Sequence, residues 1–137
     1  MDISARNQIK GHVASIQSGK AMTFVTLQAH GMHLASAITN DGAQELNLKQ
    51  NDAVTAIVKA TEVILAKGAI GPLSARNRLS GRVSSVQHGE AMGLVKVVVG
   101  QETVEAAITT QAIKEMGLKE GDQVTAIIKA TEVILAK

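Results

Sequence analysis

Lys59-Ala60-Thr61-Glu62-Val63-Ile64-Leu65-Ala66-Lys67 returns unchanged as Lys129-Ala130-Thr131-Glu132-Val133-Ile134-Leu135-Ala136-Lys137. The shift, 129 − 59 = 70, also lays Ser4-Ala5-Arg6-Asn7 on Ser74-Ala75-Arg76-Asn77, Gly11 on Gly81 and Gly19 on Gly89. Ala21-Met22 falls on Ala91-Met92, Ile38-Thr39 on Ile108-Thr109 and Asp52 on Asp122, with no gap. Self-similarity at a fixed period marks repeated structural units. The chain therefore reads as two copies of one module, residues 1–67 and 74–137, joined by a short linker, 68–73, that holds the only proline, Pro72. About half of the aligned positions have diverged, so a residue kept in both copies is a better candidate for a shared role than one present in a single copy.

Within a copy the pattern is that of short strands. Ile9–Gln17 alternates imperfectly, Ser18-Gly19-Lys20 is a turn, and Ala21–Ala29 is a second strand with β-branched residues. His30-Gly31 turns the chain and Met32–Thr39 returns as a third strand. Asn40–Leu46 is the single helical segment, with Thr39 or Asn40 as its N-cap. Lys49–Asp52 forms a turn, and Ala53–Lys59 and Glu62–Ala66 are two further strands separated by a bend. Five short strands and one small helix per copy predict an all-β chain: two tandem OB-like Greek-key barrels, each with one short helix.

Composition narrows the function. The net charge is +2 with both signs scattered, too weak for an electrostatic polyanion binder. Phe24 is the sole aromatic residue, so the stacking platforms that OB barrels use on single-stranded nucleic acid are lacking, and no nucleic-acid partner is expected. A core of Val, Ile, Leu, Ala and Met is thin per residue, which suggests that subunit interfaces bury more surface. There is no cysteine for a disulfide or a thiolate metal site. The first residues lack the apolar core of a signal peptide, and no run approaches the ~20 apolar residues of a membrane span. A cytoplasmic protein with no membrane partner is expected.

Catalysis finds little support. His12, His30, His33 and His88 have no histidine 70 residues away, and His30 and His33 flank a turn in one copy only. They read as exposed loop residues. The repeated acids Glu45/Glu115, Asp52/Asp122 and Glu62/Glu132 read as a helix face, a turn and a solvated strand position. No nucleophile–base pair or phosphate loop is suggested, so the chain is not expected to be an enzyme.

The repeated polar residues are mostly donors. Ser4, Arg6 and Asn7 cluster before the first strand, and Lys59 and Thr61 bracket the bend before the last; Ser74, Arg76, Asn77, Lys129 and Thr131 repeat them. Hydroxyls, a guanidinium, an ammonium and loop N–H groups suit an anion whose oxygens only accept. Surface ion pairing of Arg6 and Lys59 with Glu62 or Asp52 explains the same residues equally well.

Ser-Ala-Arg-Asn opening a strand, a turn glycine, Ile-Thr, and then Lys-Ala-Thr-Glu-Val-Ile-Leu-Ala resemble the Mop domain of the molbindins, over nearly the whole chain and in both copies. The resemblance implies an intracellular protein that binds molybdate or tungstate for storage and homeostasis, needs no organic cofactor, and assembles as a homotrimer with the oxyanions between subunits. It implies that Ser4, Ala5, Arg6, Lys59, Ala60 and Thr61 hold one anion, and Ser74, Ala75, Arg76, Lys129, Ala130 and Thr131 another, the metal being bound only as its oxyanion. Asn7 and Asn77 shape the loop. Many relatives carry Val-Asn where this chain has Ala21-Met22 and Ala91-Met92, so an axial class of site loses its amide. Some carry a serine where this chain has Gly42 and Ala112. The alternative is a regulatory or assembly module that binds the anion and acts through a protein partner.

Overall fold

The computed structural model describes all 137 residues, Met1–Lys137. Each copy contributes three long antiparallel strands, a helix, a fourth strand, a 3-10 turn and a short fifth strand. In the first copy these are β1 (Asn7–Ser18), β2 (Met22–Ala29), β3 (Met32–Thr39), α1 (Asn40–Leu46), β4 (Ala53–Val58), the turn Ala60–Glu62 and β5 (Ile64–Lys67). In the second they are β6 (Asn77–Gln87), β7 (Met92–Val99), β8 (Glu102–Thr109), α2 (Thr110–Met116), β9 (Gln123–Ile128), the turn Ala130–Glu132 and β10 (Ile134–Ala136). The residues 68–73 form neither helix nor strand.

The strands form because their apolar residues recur with period two. Along β2, Thr23, Val25, Leu27 and Ala29 point inward while their neighbours stay at least partly open. β1 carries a bulge between Val13 and Ser15, which bends it over the sheet. Gly11 and Gly81 stand where strands crowd: a Cβ would lie 2.6 Å from the Gln28 carbonyl oxygen at Gly11 and 2.5 Å from that of Val98 at Gly81. Thr39 caps α1 by accepting from the Gly42 N–H at 3.1 Å, and Thr109 caps α2 in the same way through Ala112. Each helix ends in a left-handed residue, Asn47 at φ 48° and Gly117 at φ 59°.

The fourth and fifth strands depart from the sequence reading. Lys59 lies outside β4, and Glu62 and Val63 lie outside β5. Between them a 3-10 turn closes with the Glu62 N–H donating to the Lys59 carbonyl at 2.9 Å. That turn redirects the chain to the other half of the molecule. The sheet orders are β10-β4-β1-β2-β3 and β5-β9-β6-β7-β8. Thus β5 pairs with β9 and β10 pairs with β4, and each repeat supplies the last strand of the other's barrel. The two OB-like barrels therefore cut across the sequence repeats, and their interiors merge into one core of 25 buried apolar residues, from Ile9 and Val13 to Val133 and Leu135. No helix is long and apolar enough to cross a membrane.

Candidate functional site

Antiparallel register brings the two sequence segments of each cluster together. Asn7 pairs with Val58 and Asn77 with Ile128. One step beyond the sheet, Arg6 therefore comes beside Lys59, and Arg76 beside Lys129. The two 3-10 turns that carry the remaining residues pack on the opposite barrel, Ala60–Glu62 against β8 and Ala130–Glu132 against β3. Both clusters thus lie on the seam between barrels.

Burial divides each cluster into anchors and donors. Ala5 and Asn7 are buried, while Ser4, Arg6, Lys59 and Thr61 are exposed. Ala60 of the first cluster is half-buried; in the second cluster Asn77 and Ala130 are buried, Ala75 is half-buried, and Ser74, Arg76, Lys129 and Thr131 are exposed. The N–H groups of Ala60 and Thr61, and of Ala130 and Thr131, precede the first hydrogen bond of their turns, so the turns leave them without an internal acceptor. Each cluster therefore presents a guanidinium, an ammonium, two hydroxyls and two backbone N–H groups. The chain has five ion pairs, and of these four cations only Arg6 takes part in one, its Nε 3.5 Å from Glu105 Oε2. The surface pairings with Glu62 or Asp52 weighed from sequence do not form.

The asparagines act on the fold. The Asn7 side chain donates to the Glu105 carbonyl at 2.9 Å and accepts from the Glu105 N–H at 2.7 Å. Asn77 makes the same pair of bonds with Ala35, at 2.8 and 2.7 Å. β8 and β3 are the outer strands of their sheets, and the amides cover their open edges.

Two further lysines are anchors that the sequence reading passed over. Lys137, at the end of β10, donates to the Leu46 and Asn47 carbonyls at the end of α1 and lies 3.0 Å from Asp52 Oδ2. Lys67 does the same with Met116, Gly117 and Asp122. These hydrogen bonds, helped by the Lys49 and Lys119 N–H groups, hold the Asp52 and Asp122 carboxyls below the usual carboxylate range. The signal was in the sequence: both lysines and both aspartates survive the 70-residue shift.

His12 is exposed on β1, within the strand read there from the sequence; His33, expected in a loop, is exposed on β3, whereas His30 sits in a turn and His88 just past a strand end. His30 Nε2 lies 3.4 Å from Glu102 Oε1. No group of three or more His, Cys, Asp or Glu converges as a metal site would require. Met22 and Met92 are 42% and 47% exposed. Two surface concavities, with volumes of about 570 and 410 Å³, are lined by other residues, including Lys10, His12, Arg78 and Ser80. In one chain the two clusters are open surfaces.

A TOBE-domain model matches residues 3–65 and again 73–135. Molybdenum transport protein ModE of Herbaspirillum seropedicae is 34% identical over 139 residues, covering 99% of this chain and 52% of that protein. Molybdenum-pterin-binding protein MopA of Rhodobacter capsulatus is likewise 34% identical over 139 residues, again with 52% of its length covered. The chain thus spans about half the length of these curated relatives. Molybdenum-pterin-binding protein 2 of Clostridium pasteurianum is 41% identical over 66 residues, 97% of its length. Among solved structures, ModG, described as a cytoplasmic molybdate-binding protein and crystallised with molybdate bound, superposes with a TM-score of 0.96 at 35% identity, covering 99% of both chains.

Proposed function

The chain belongs to the TOBE-domain family, with the module present twice, and from that premise we propose that it is a cytoplasmic binding protein for molybdate and tungstate that stores and buffers the oxyanion without chemically changing it. The observation that carries this reading is the coincidence of a full-length match to a molybdate-binding protein with two seam clusters made of donors. A tetrahedral metal oxyanion is a dianion with no proton at neutral pH, so all four oxygens only accept. Arg6 and Arg76 supply planar charge-assisted donors, and Lys59 and Lys129 supply mobile ones. Ser4, Thr61, Ser74 and Thr131 supply hydroxyls, while Ala5, Ala60, Ala75 and Ala130 contribute backbone groups. Phosphate, which often carries a proton at that pH, then also calls for an acceptor, and no carboxylate lies within 4.0 Å of Arg76 to provide one.

The dianion is held between subunits of a homotrimer. Two features support this. The donor clusters are open in one chain, and a second subunit closes them. Exposed apolar residues also recur at the 70-residue shift, Met22 with Met92 and Ile64 with Ile134, all between 42% and 54% exposed. Such a repeated apolar surface suits self-association.

Isothermal titration with molybdate and tungstate, with sulfate and phosphate as controls, tests the function. Tight uptake of the metal oxyanions, more than one per chain, is the expected result. No uptake by folded protein overturns the reading. Analytical ultracentrifugation should give three times the chain mass, and a monomer would overturn the trimer.

A further inference from the structure

The two clusters match in sequence but not in surroundings. Asn7 lies on the backbone of Glu105, and Asn77 lies on that of Ala35. Positions 105 and 35 are equivalent, since 105 − 35 = 70. The arginine of the first repeat therefore meets a glutamate across the seam, whereas the equivalent position facing the second repeat is an alanine, Ala35. Arg6 Nε is 3.5 Å from Glu105 Oε2, whereas no carboxylate lies within 4.0 Å of Arg76.

We propose that Glu105 is a built-in competitor for the oxyanion at Arg6, so that the two repeats form sites of unequal affinity and the Arg76 cluster fills first. This rests on the oxyanion reading above. A carboxylate and an oxyanion are acceptors for the same guanidinium. The backbone of Glu105 is pinned by β7 on one side and Asn7 on the other, which keeps its carboxylate within side-chain reach of Arg6. Its side chain is 17% exposed and that of Arg6 66%. An arriving dianion must therefore share Arg6 with a negative charge tethered beside it.

Net charge does not distinguish the clusters. Lys96 Nζ lies 3.7 Å from Glu105 Oε1, and the residue equivalent to Lys96 is Thr26. Arg6, Lys96 and Glu105 sum to one positive charge, as Arg76 does alone. The difference is that Glu105 engages both of its cations, while Arg76 is free. Because Arg6 is exposed and the pair is screened by solvent on that side, the effect on affinity is modest, roughly two- to fivefold.

The test uses the full chain and molybdate. Arg6→Ala and Arg76→Ala each leave one cluster intact, and calorimetry should find the dissociation constant of Arg76→Ala roughly two- to fivefold above that of Arg6→Ala. Adding Glu105→Gln to Arg76→Ala should bring the two constants together. Ala35→Glu, added to Arg6→Ala, should weaken uptake by a similar factor. All differences should shrink as salt is raised. Melting temperatures close to wild type would verify that each variant is folded. Equal constants for the two single variants, or loss of all uptake in either one, overturn the proposal while wild-type uptake upholds the oxyanion reading. Weaker binding on Glu105→Gln also overturns it, since the glutamate would then be orienting Arg6. No uptake by wild type defeats both.

Discussion

Asn7 and Asn77 use one side chain where a sheet would use a strand: each amide satisfies the N–H and C=O of an edge residue on the opposite barrel. Both asparagines are buried, so truncation leaves two backbone groups of a half-buried edge residue without their partners. Asn7→Ala should therefore cost about 2–3 kcal/mol, read as a lower urea midpoint. Asn77→Ala should cost a similar amount. The arginines and lysines of the clusters should behave in the opposite way. Arg6→Ala with Lys59→Ala should abolish molybdate uptake at the first cluster, and Arg76→Ala with Lys129→Ala at the second, while the melting temperature without ligand changes little. These side chains are exposed, and surface substitutions away from caps and buried networks usually stay within about 0.5 kcal/mol. Unchanged uptake in both double variants would remove these residues from the site. The sequence marked all of them together as a donor cluster. The residue pattern alone did not separate Asn7 from Arg6, because burial depends on the opposite barrel; only the family resemblance set Asn7 and Asn77 apart, as shaping the loop.

The terminal strands show how an element is fixed by a single charged residue. β5 and β10 are short, but at each a lysine, the last residue of β5 and the residue after β10, closes the far helix and pairs with an aspartate. Because Asp52 and Asp122 have folded pKa values below the ordinary ~3.9, they favour the folded state at every pH above that value. The contribution is lost as pH falls below ~3.9 through the lowered folded-state values. Urea midpoints measured at pH 7, 5 and 3 should drop mainly in the last interval. Lys67→Met with Lys137→Met should flatten that drop and lower the midpoint at pH 7. An unaltered pH profile in the double variant would show that the lysines do not set the aspartates. The strands themselves were legible: Met32–Thr39 and the helix Asn40–Leu46 have the same bounds in sequence and structure. Their exchange was not. A strand such as Ile64–Lys67 shows the same alternation whichever sheet receives it, and β5 and β10 share one sequence, so nothing local distinguishes self from partner. The 3-10 turn was visible only as a bend, since Ala-Thr-Glu has no strong turn residue to mark it.

At the scale of the whole molecule, exchange makes each barrel incomplete without the other repeat. A fragment of residues 1–67 should therefore dimerise, its β5 taking the place of the identical β10 of a second copy. Sedimentation should give an even multiple of the fragment mass, two copies for the exchanged pair and six when such pairs assemble as the trimer does, and a folded monomer would show that β5 can return to its own barrel. Ligand binding belongs to this scale too. A dianion held between folded subunits has no counterpart in the unfolded chain, so molybdate at a hundred times its dissociation constant should add about 2.7 kcal/mol per site. A melting temperature that molybdate does not raise would argue against sites between subunits.

The exchange also changes what the peptide bond between the repeats is for. The segment 68–73 is almost entirely exposed and bears no strand or helix, so a protease can reach it. A cut there would release nothing, because each piece would still grip the other through its last strand. The nick would show on a denaturing gel and leave the folded particle in one piece. The covalent connection delivers the two halves in equal number and at high local concentration; cohesion comes from the strands that cross between them.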